Sequence, residues 1–228
     1  MRATIGAVSY ETPRAAAAVV LAGGRSQRMG TDKAGLRWGD GTLLEHVVGV
    51  LAASVTGPVV IVGTAGAPRT GGGARVDPGR VVSVTDDEPG RGPLQGLATG
   101  LRAAAAHGST VAFVCSVDLP LIHPAYVAAV LAALGDAEVA LPVVHGHRQP
   151  LAAAYRTALG DRAAALLAAG ARRPGDLFDA SVVRELAAAD LLADPGLRAA
   201  DPELDAVRDA DTPREYAALR RLAPGRCR

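Results

Sequence analysis

The sequence predicts an α/β fold, a single domain with a mostly parallel central sheet flanked by helices, and three observations carry that prediction. The apolar runs at 15–21, 58–62, 81–84 and 111–115 do not alternate with polar residues, as expected of strands covered on both faces. Stretches of helical periodicity separate strands, the rhythm of right-handed βαβ units. The length, 228 residues, suits one such domain. Its expected limits are a tail over 1–14, the domain over 15–222 and a C-terminal tail over 223–228.

Composition removes several classes of function. Hydrophobic residues make up 49% of the chain and aromatics 3%, so Ala, Val and Leu must build the core, and no row of stacked rings is available for single-stranded nucleic acid. Twenty-four basic and 23 acidic residues leave a net charge of +1, with no whole-chain field to draw nucleic acid or an anionic membrane. Cys115 and Cys227 are too few for a disulfide framework, and a cytoplasmic location is expected. The apolar run at 15–24 follows Glu11 and Arg14 and continues into a cationic loop, so it reads as a strand and not as a signal peptide. No apolar run approaches the roughly 20 residues of a membrane span.

The first strand ends at Gly23 and Gly24, which lack a Cβ, allow a ligand to approach the main chain, and let successive amides turn inward as an anion nest. Arg25, Arg28 and Lys33 follow, opposed only by Asp32, which makes the loop a cradle for polyphosphate. It is neither a Walker loop, since Met29 stands where the second glycine belongs, nor a Gly-x-Gly-x-x-Gly fingerprint.

The remaining elements follow in order. Asp40-Gly41-Thr42 is expected to cap a helix with the apolar stripe Leu43, Leu44, Val47, Val48 and Leu51; Glu45 and His46 fall off that stripe, and His46 reads as a solvated surface residue. A strand at 58–62, a glycine-rich loop over 66–78 and a strand at 81–84 come next. The acidic trio Asp86, Asp87 and Glu88 reads, on its own, as a solvated turn before a helix over 97–107. The strand from Val111 delivers Asp118 at its carboxyl end, where Pro120 interrupts regular structure. That carboxylate faces the same crevice as the cationic loop; Mg²⁺, which commonly takes one or two carboxylates plus substrate phosphates, would supply the counter-charge. Cys115 reads as a small core residue.

A strand at 138–143 precedes His145 and His147, which have no third ligand near them in sequence and so do not read as a zinc site. A helix follows over 157–171, and the adjacent Arg172 and Arg173 read alone as solvated. Residues 184–204, rich in Ala, Asp and Pro, read as a variable surface segment; Thr212-Pro213 then opens a final helix.

The spacing Leu-Ala-Gly-Gly-x-Ser-x-Arg-Met-Gly-x-Asp-Lys over 21–33 resembles the nucleotide-binding loop of the MobA family, the molybdenum cofactor guanylyltransferases, in the nucleotidyltransferase superfamily with its Rossmann-like fold. The resemblance implies a nucleotide site made by Leu21, Ala22, Gly23, Gly24, Arg28 and Lys33. It extends to Gly92, Pro93, Leu94 and Gly96, which match a base-recognition element, and to Asp87, five residues before Gly92. It implies catalytic roles for Arg28, Lys33 and Asp118, the last in a Cys-x-x-Asp-x-Pro strand end that binds metal. Leu119 departs from the Thr usual there, which puts one polar contact in doubt. Gln149 to Tyr155 resembles the strand beside the acceptor, implying acceptor contacts from His147, Arg148 and Gln149, and Arg173 matches a basic turn near acceptor phosphate. Where the family ends in Asn-x-Asn-Thr-Pro this chain has Asp209-Ala210-Asp211-Thr212-Pro213, so Asp211, or alternatively Asp209, becomes the second metal ligand.

The reaction so implied is Mg²⁺-dependent transfer of GMP from GTP to the terminal phosphate of molybdopterin, with transient contact to cofactor-biosynthesis or acceptor enzymes. The alternatives are a cytidylyltransferase using CTP, a transferase for another phosphorylated small molecule, or a non-catalytic nucleotide-binding protein.

Overall fold

A computed structural model describes residues 16–23, 33–63, 76–86 and 92–223. From the N-terminus, β1 (Ala17–Leu21) is followed by a 3-10 turn over Lys33–Gly35, a small hairpin of β2 (Arg37–Trp38) and β3 (Gly41–Thr42), and α1 (Leu43–Ser54). Then come β4 (Val59–Gly63), β5 (Val81–Thr85), α2 (Pro93–Ala106), β6 (Val111–Ser116) and α3 (Pro124–Ala132). The C-terminal part adds β7 (Val139–Val144), β8 (His147–Arg148), β9 (Ala152–Arg156), α4 (Leu159–Ala168), α5 (Pro174–Phe178), β10 (Val183–Ala187), α6 (Ala188–Leu191), α7 (Pro195–Ala200) and α8 (Pro213–Leu222).

The main sheet runs β10-β7-β9-β6-β1-β4-β5, with β8 paired to β7. β1 pairs in parallel with both β4 and β6, β4 with β5, and β10 with β7; β9 is antiparallel to β6 and β7. The chain therefore builds outward from β1 through β4 and β5, then crosses back to set β6 on the other side of β1. That reversal makes a crevice at the carboxyl ends of β1 and β6, where open α/β sheets bind ligands.

All five residues of β1 are buried, which is why its sequence carries no alternation. Ala18 and Val20 face a core layer shared with α1 and α3, while Ala17, Val19 and Leu21 face a second layer with α2, α4 and α5. The scarcity of large side chains is matched by close approach of helix to strand. A Cβ at Gly100 on α2 would stand 2.3 Å from Val19 Cγ1, and one at Gly96 would stand 3.1 Å from the Leu21 methyls, so these glycines let α2 lie directly on β1.

The α1 cap forms as its sequence predicts: Thr42 accepts from the Glu45 amide while the Glu45 carboxylate accepts from the Thr42 amide. Three expectations need correction. The helix expected over 97–107 begins at Pro93, because Pro at the first helical position has its φ already set and no amide to satisfy. His46 is half-buried, packed on Trp38, with Nε2 2.9 Å from the Pro120 carbonyl.

The segment 184–204 is structural. It supplies the edge strand β10 and then α6 and α7, and buries Leu186, Leu191, Leu197 and Leu204. It also contains Asp201, a fully buried carboxylate that accepts from the amides of Asp205 and Ala206 and pairs with His123 Nε2 at 3.3 Å.

Candidate functional site

Three separated segments meet at the crevice. Val117 still donates to Leu21 across the end of the β1–β6 ladder, so Asp118 leaves the sheet beside Ala22 and Gly23. The Ala210 amide donates to the Asp118 carbonyl at 2.9 Å, which docks the segment before α8 against the same turn. Lys33, at the start of its 3-10 turn, lies between them. Its ammonium donates to Asp118 Oδ2 at 2.9 Å and to Asp211 Oδ1 at 2.6 Å.

The site is shielded unevenly: the side chains of Lys33, Asp118 and Asp211 are 13%, 21% and 39% exposed. Burial works against the Lys33 charge, but hydrogen bonds to Asp211 and Asp118 outweigh it, and the ammonium's pKa is raised. Asp209 answers the same field with the opposite sign. Burial, then the negative charges of Asp211 and Asp118, push its carboxyl upward. One lysine therefore does not cancel the negative potential of this corner, and the donor set is hard oxygen. Among the described residues no group of three or more His, Cys, Asp or Glu side chains converges on a metal position. Two carboxylates with phosphate and water completing the shell is an arrangement Mg²⁺ accepts, so the residues fit that ion.

The other sequence-assigned positions divide. Gly24, Arg28 and Asp87 lie outside the described residues. Gly92, exposed and at φ +88°, precedes α2, and Pro93, Leu94 and Gly96 form its first turn. The Leu94 side chain is fully buried and Gly96 packs on Leu21, so those two can meet a ligand through the main chain alone.

The Arg172 carbonyl sits 3.1 Å from where a Gly92 Cβ would be, which brings the basic turn against the start of α2. Arg173 there is 85% exposed. His147 and Arg148 form β8 beyond the carboxyl end of β7, joined through a turn in which His145 and Gly146 both have positive φ. Arg148 is engaged by Glu185 of β10 at 2.6 Å, and the Gln149 side-chain amide folds back on the Val144 and His147 carbonyls. Cys115 is fully buried, and burial, then the Asp118 charge, raises its thiol well above the usual range.

The sequence puts His46 at the solvated surface and gives Trp38, Tyr216 and Asp201 no role, yet His46, Trp38 and Tyr216 adjoin all three charged segments. The signal for Trp38 and Tyr216 was present: each lies five residues beyond a site residue, Lys33 and Asp211, in a chain with very few aromatics.

A doubly wound sheet with a lysine held between two carboxylates at its switch point places the chain among the nucleotidyltransferases. Within that class, the chain is a member of the MobA-like NTP transferase family, whose domain model matches residues 18–193. A Mycobacterium avium relative named as a probable molybdenum cofactor guanylyltransferase is 42% identical over 174 residues, covering 75% of this chain and 84% of that one. A Mycobacterium bovis relative of the same name is 44% identical over 179 residues, 76% of this chain and 84% of that one.

Two crystal structures share the fold. Molybdopterin-guanine dinucleotide biosynthesis protein A from Archaeoglobus fulgidus has a TM-score of 0.68 and 19% identity, over 92% of this chain and 99% of that one. The 2-C-methyl-D-erythritol 4-phosphate cytidylyltransferase from Thermus thermophilus has a TM-score of 0.63 and 19% identity, over 90% and 97%. Asp211 lies beyond the matched family segment. No helix among the described residues is long and apolar enough to cross a membrane.

Proposed function

We propose that this nucleotidyltransferase transfers GMP from GTP to the terminal phosphate of molybdopterin, releasing pyrophosphate. The observation that carries the reading is the Lys33 ammonium held between Asp118 and Asp211 at the β1–β6 switch point. The names of the 42–44% identical relatives support the acceptor and the base.

An ammonium has three N–H donors. With two committed to carboxylates among the described residues, Lys33 retains capacity for a phosphate oxygen. The Gly23–Gly24 amides and Arg28, assigned from the sequence pattern, would hold the β- and γ-phosphates beside it. Asp118 and Asp211 would hold Mg²⁺, which supplies the positive charge an anionic acceptor needs to approach an anionic triphosphate. An oxygen of the acceptor phosphate attacks the α-phosphorus in line, the bond from that phosphorus to the β-phosphate bridging oxygen breaks, and pyrophosphate leaves with the electron pair. The attacking phosphate is already anionic near neutral pH, so the chain needs no general base; its work is positioning and charge neutralisation.

Gly92 and the first-turn main chain of α2 would meet the base together with Asp87, assigned from the sequence pattern, and Arg173 would meet acceptor phosphate from the turn whose Arg172 carbonyl abuts Gly92. His147, Arg148 and Gln149 would be the remaining acceptor contacts, Arg148 from its pair with Glu185 and Gln149 from an amide folded back on main-chain carbonyls. The test is label transfer. With GTP labelled at the α-phosphorus, the label should appear in a molybdopterin dinucleotide, and with γ-label it should appear in pyrophosphate. Appearance of the α-label in free GMP or GDP alone would contradict the transfer.

A further inference from the structure

The three charged residues of the transfer centre come from segments far apart in the chain, yet each is followed closely by a residue that meets one cluster beside the site. Trp38 lies five residues beyond Lys33, Pro120 two beyond Asp118 and Tyr216 five beyond Asp211. The Trp38 ring is buried, with its centroid 5.8 Å from the His46 imidazole and 5.7 Å from the Tyr216 ring, the latter edge-on at 63°. Tyr216 hydroxyl donates to the Arg37 carbonyl, and His46 Nε2 lies 2.9 Å from the Pro120 carbonyl. Since a carbonyl only accepts, Nε2 carries the proton.

Each of these contacts crosses between segments. His46 on α1 ties the Asp118 turn to the helix that follows the Lys33 turn and the β2–β3 hairpin, and the Leu43 amide at the start of α1 donates to Leu36 between that turn and the hairpin. Tyr216 ties α8 to the hairpin. Among the described residues of α8, Leu219 alone is buried, so the Tyr216 ring and hydroxyl are a large part of what holds this helix down. Asp211 immediately precedes the α8 N-cap, Thr212, whose capping box with Glu215 makes the first turn rigid. Rotation or lift of α8 would therefore move Asp211 against Lys33.

We propose that Trp38, His46 and Tyr216 form a positioning node that sets the register of Lys33, Asp118 and Asp211, and thereby the geometry of metal and phosphate binding. The inference rests on the reading of those three charged residues as the transfer centre. None of the node residues touches the reacting atoms; they act through the segments they clamp.

Tyr216→Phe keeps the ring and removes the hydroxyl donor. His46→Leu keeps bulk and removes the imidazole donor, while His46→Gln returns an N–H at similar reach. Small misplacements of catalytic groups cost rate steeply, so Tyr216→Phe and His46→Leu are each expected to lower kcat about tenfold with KM for GTP changed less than about twofold. His46→Gln should recover to within about threefold of wild type on the same reasoning. Mn²⁺ affinity, read by electron paramagnetic resonance without any turnover, should weaken about threefold or more in Tyr216→Phe and His46→Leu while unfolding stays cooperative. In the double variant the losses should combine to less than their product, because both substitutions act on one node.

Should His46→Leu fail to fold, Tyr216→Phe carries the test. A folded Tyr216→Phe protein with wild-type kcat and Mn²⁺ affinity would overturn the node. Wild-type protein with neither turnover nor Mn²⁺ binding would overturn the functional reading, and the node's role with it. Wild-type turnover with an unaffected Tyr216→Phe overturns the node alone.

Discussion

Replacing Lys33 by Met removes the cation that holds two carboxylates together while keeping most of the side chain's volume. The acceptor oxygens lie 2.9 and 2.6 Å from the Lys33 nitrogen, so without it they stand no more than about 5.5 Å apart. At an effective dielectric constant of about 20, two like charges at that separation repel by about 3 kcal/mol. Asp211 is 39% exposed, and screening through water brings the expected net loss to about 1–2 kcal/mol.

For a domain of this size that corresponds to a fall of about 2–8 °C in melting temperature. The loss should be specific in its remedy. A divalent cation restores the counter-charge, so Mg²⁺ at about 10 mM should raise the melting temperature of the variant more than that of the wild type, as expected when a ligand binds the native state alone. Turnover should fall by about two orders of magnitude or more, since a contact to transition-state charge is gone. The assay is thermal unfolding with and without Mg²⁺ beside pyrophosphate release. Equal melting temperatures and equal Mg²⁺ responses in the two proteins would refute the electrostatic argument.

Asp201→Ala leaves the Asp205 and Ala206 amides and His123 without their buried acceptor, and should cost about 3 kcal/mol in chemical denaturation; a loss under about 1 kcal/mol would show that water replaces the carboxylate. Gly100→Ala places a methyl 2.3 Å from Val19 Cγ1, so overpacking of about 1–3 kcal/mol should outweigh the better helix propensity; unchanged midpoints in denaturant would show that α2 can step back from β1 at no cost. His46 gives a pH signature. Burial holds its pKa below the ordinary 6.5, so the unfolded chain takes up a proton that the folded one resists. Its contribution to stability is fully present above 6.5 and is lost as pH falls below it. Denaturation at pH 7.5 and about pH 5 should therefore show a steeper acid loss for wild type than for His46→Gln, and identical slopes would remove the effect.

The parts of the molecule that were legible in the sequence share a physical property: a single side-chain pattern decides them locally. The continuous apolar run of β1, the Thr42 cap and Asp118 beyond its strand all fall in that group. The segment 184–204 was misread because its buried leucines are spaced across a strand and two short helices, with no one period to reveal them, and its many Ala and Asp residues resemble a solvated surface.

His46 was misread for a related reason. On a helical wheel it lies off the apolar stripe, but a second burying surface, Trp38 and the Pro120 turn, arrives from elsewhere in the chain. Helical periodicity reports one buried face and is silent about a second. The pairing of Lys33 with both Asp118 and Asp211 spans most of the chain and is visible only once the sheet order brings the segments together.

The most direct measurement of the central claim is pyrophosphate release with Mg²⁺ and molybdenum-loaded molybdopterin, run with GTP and with CTP on wild type and on Asp118→Ala. The account predicts release with GTP, little with CTP, and a fall of about two orders of magnitude or more in the variant. Release with CTP in place of GTP would contradict the guanylyl assignment, and wild-type turnover in Asp118→Ala would contradict the transfer centre itself.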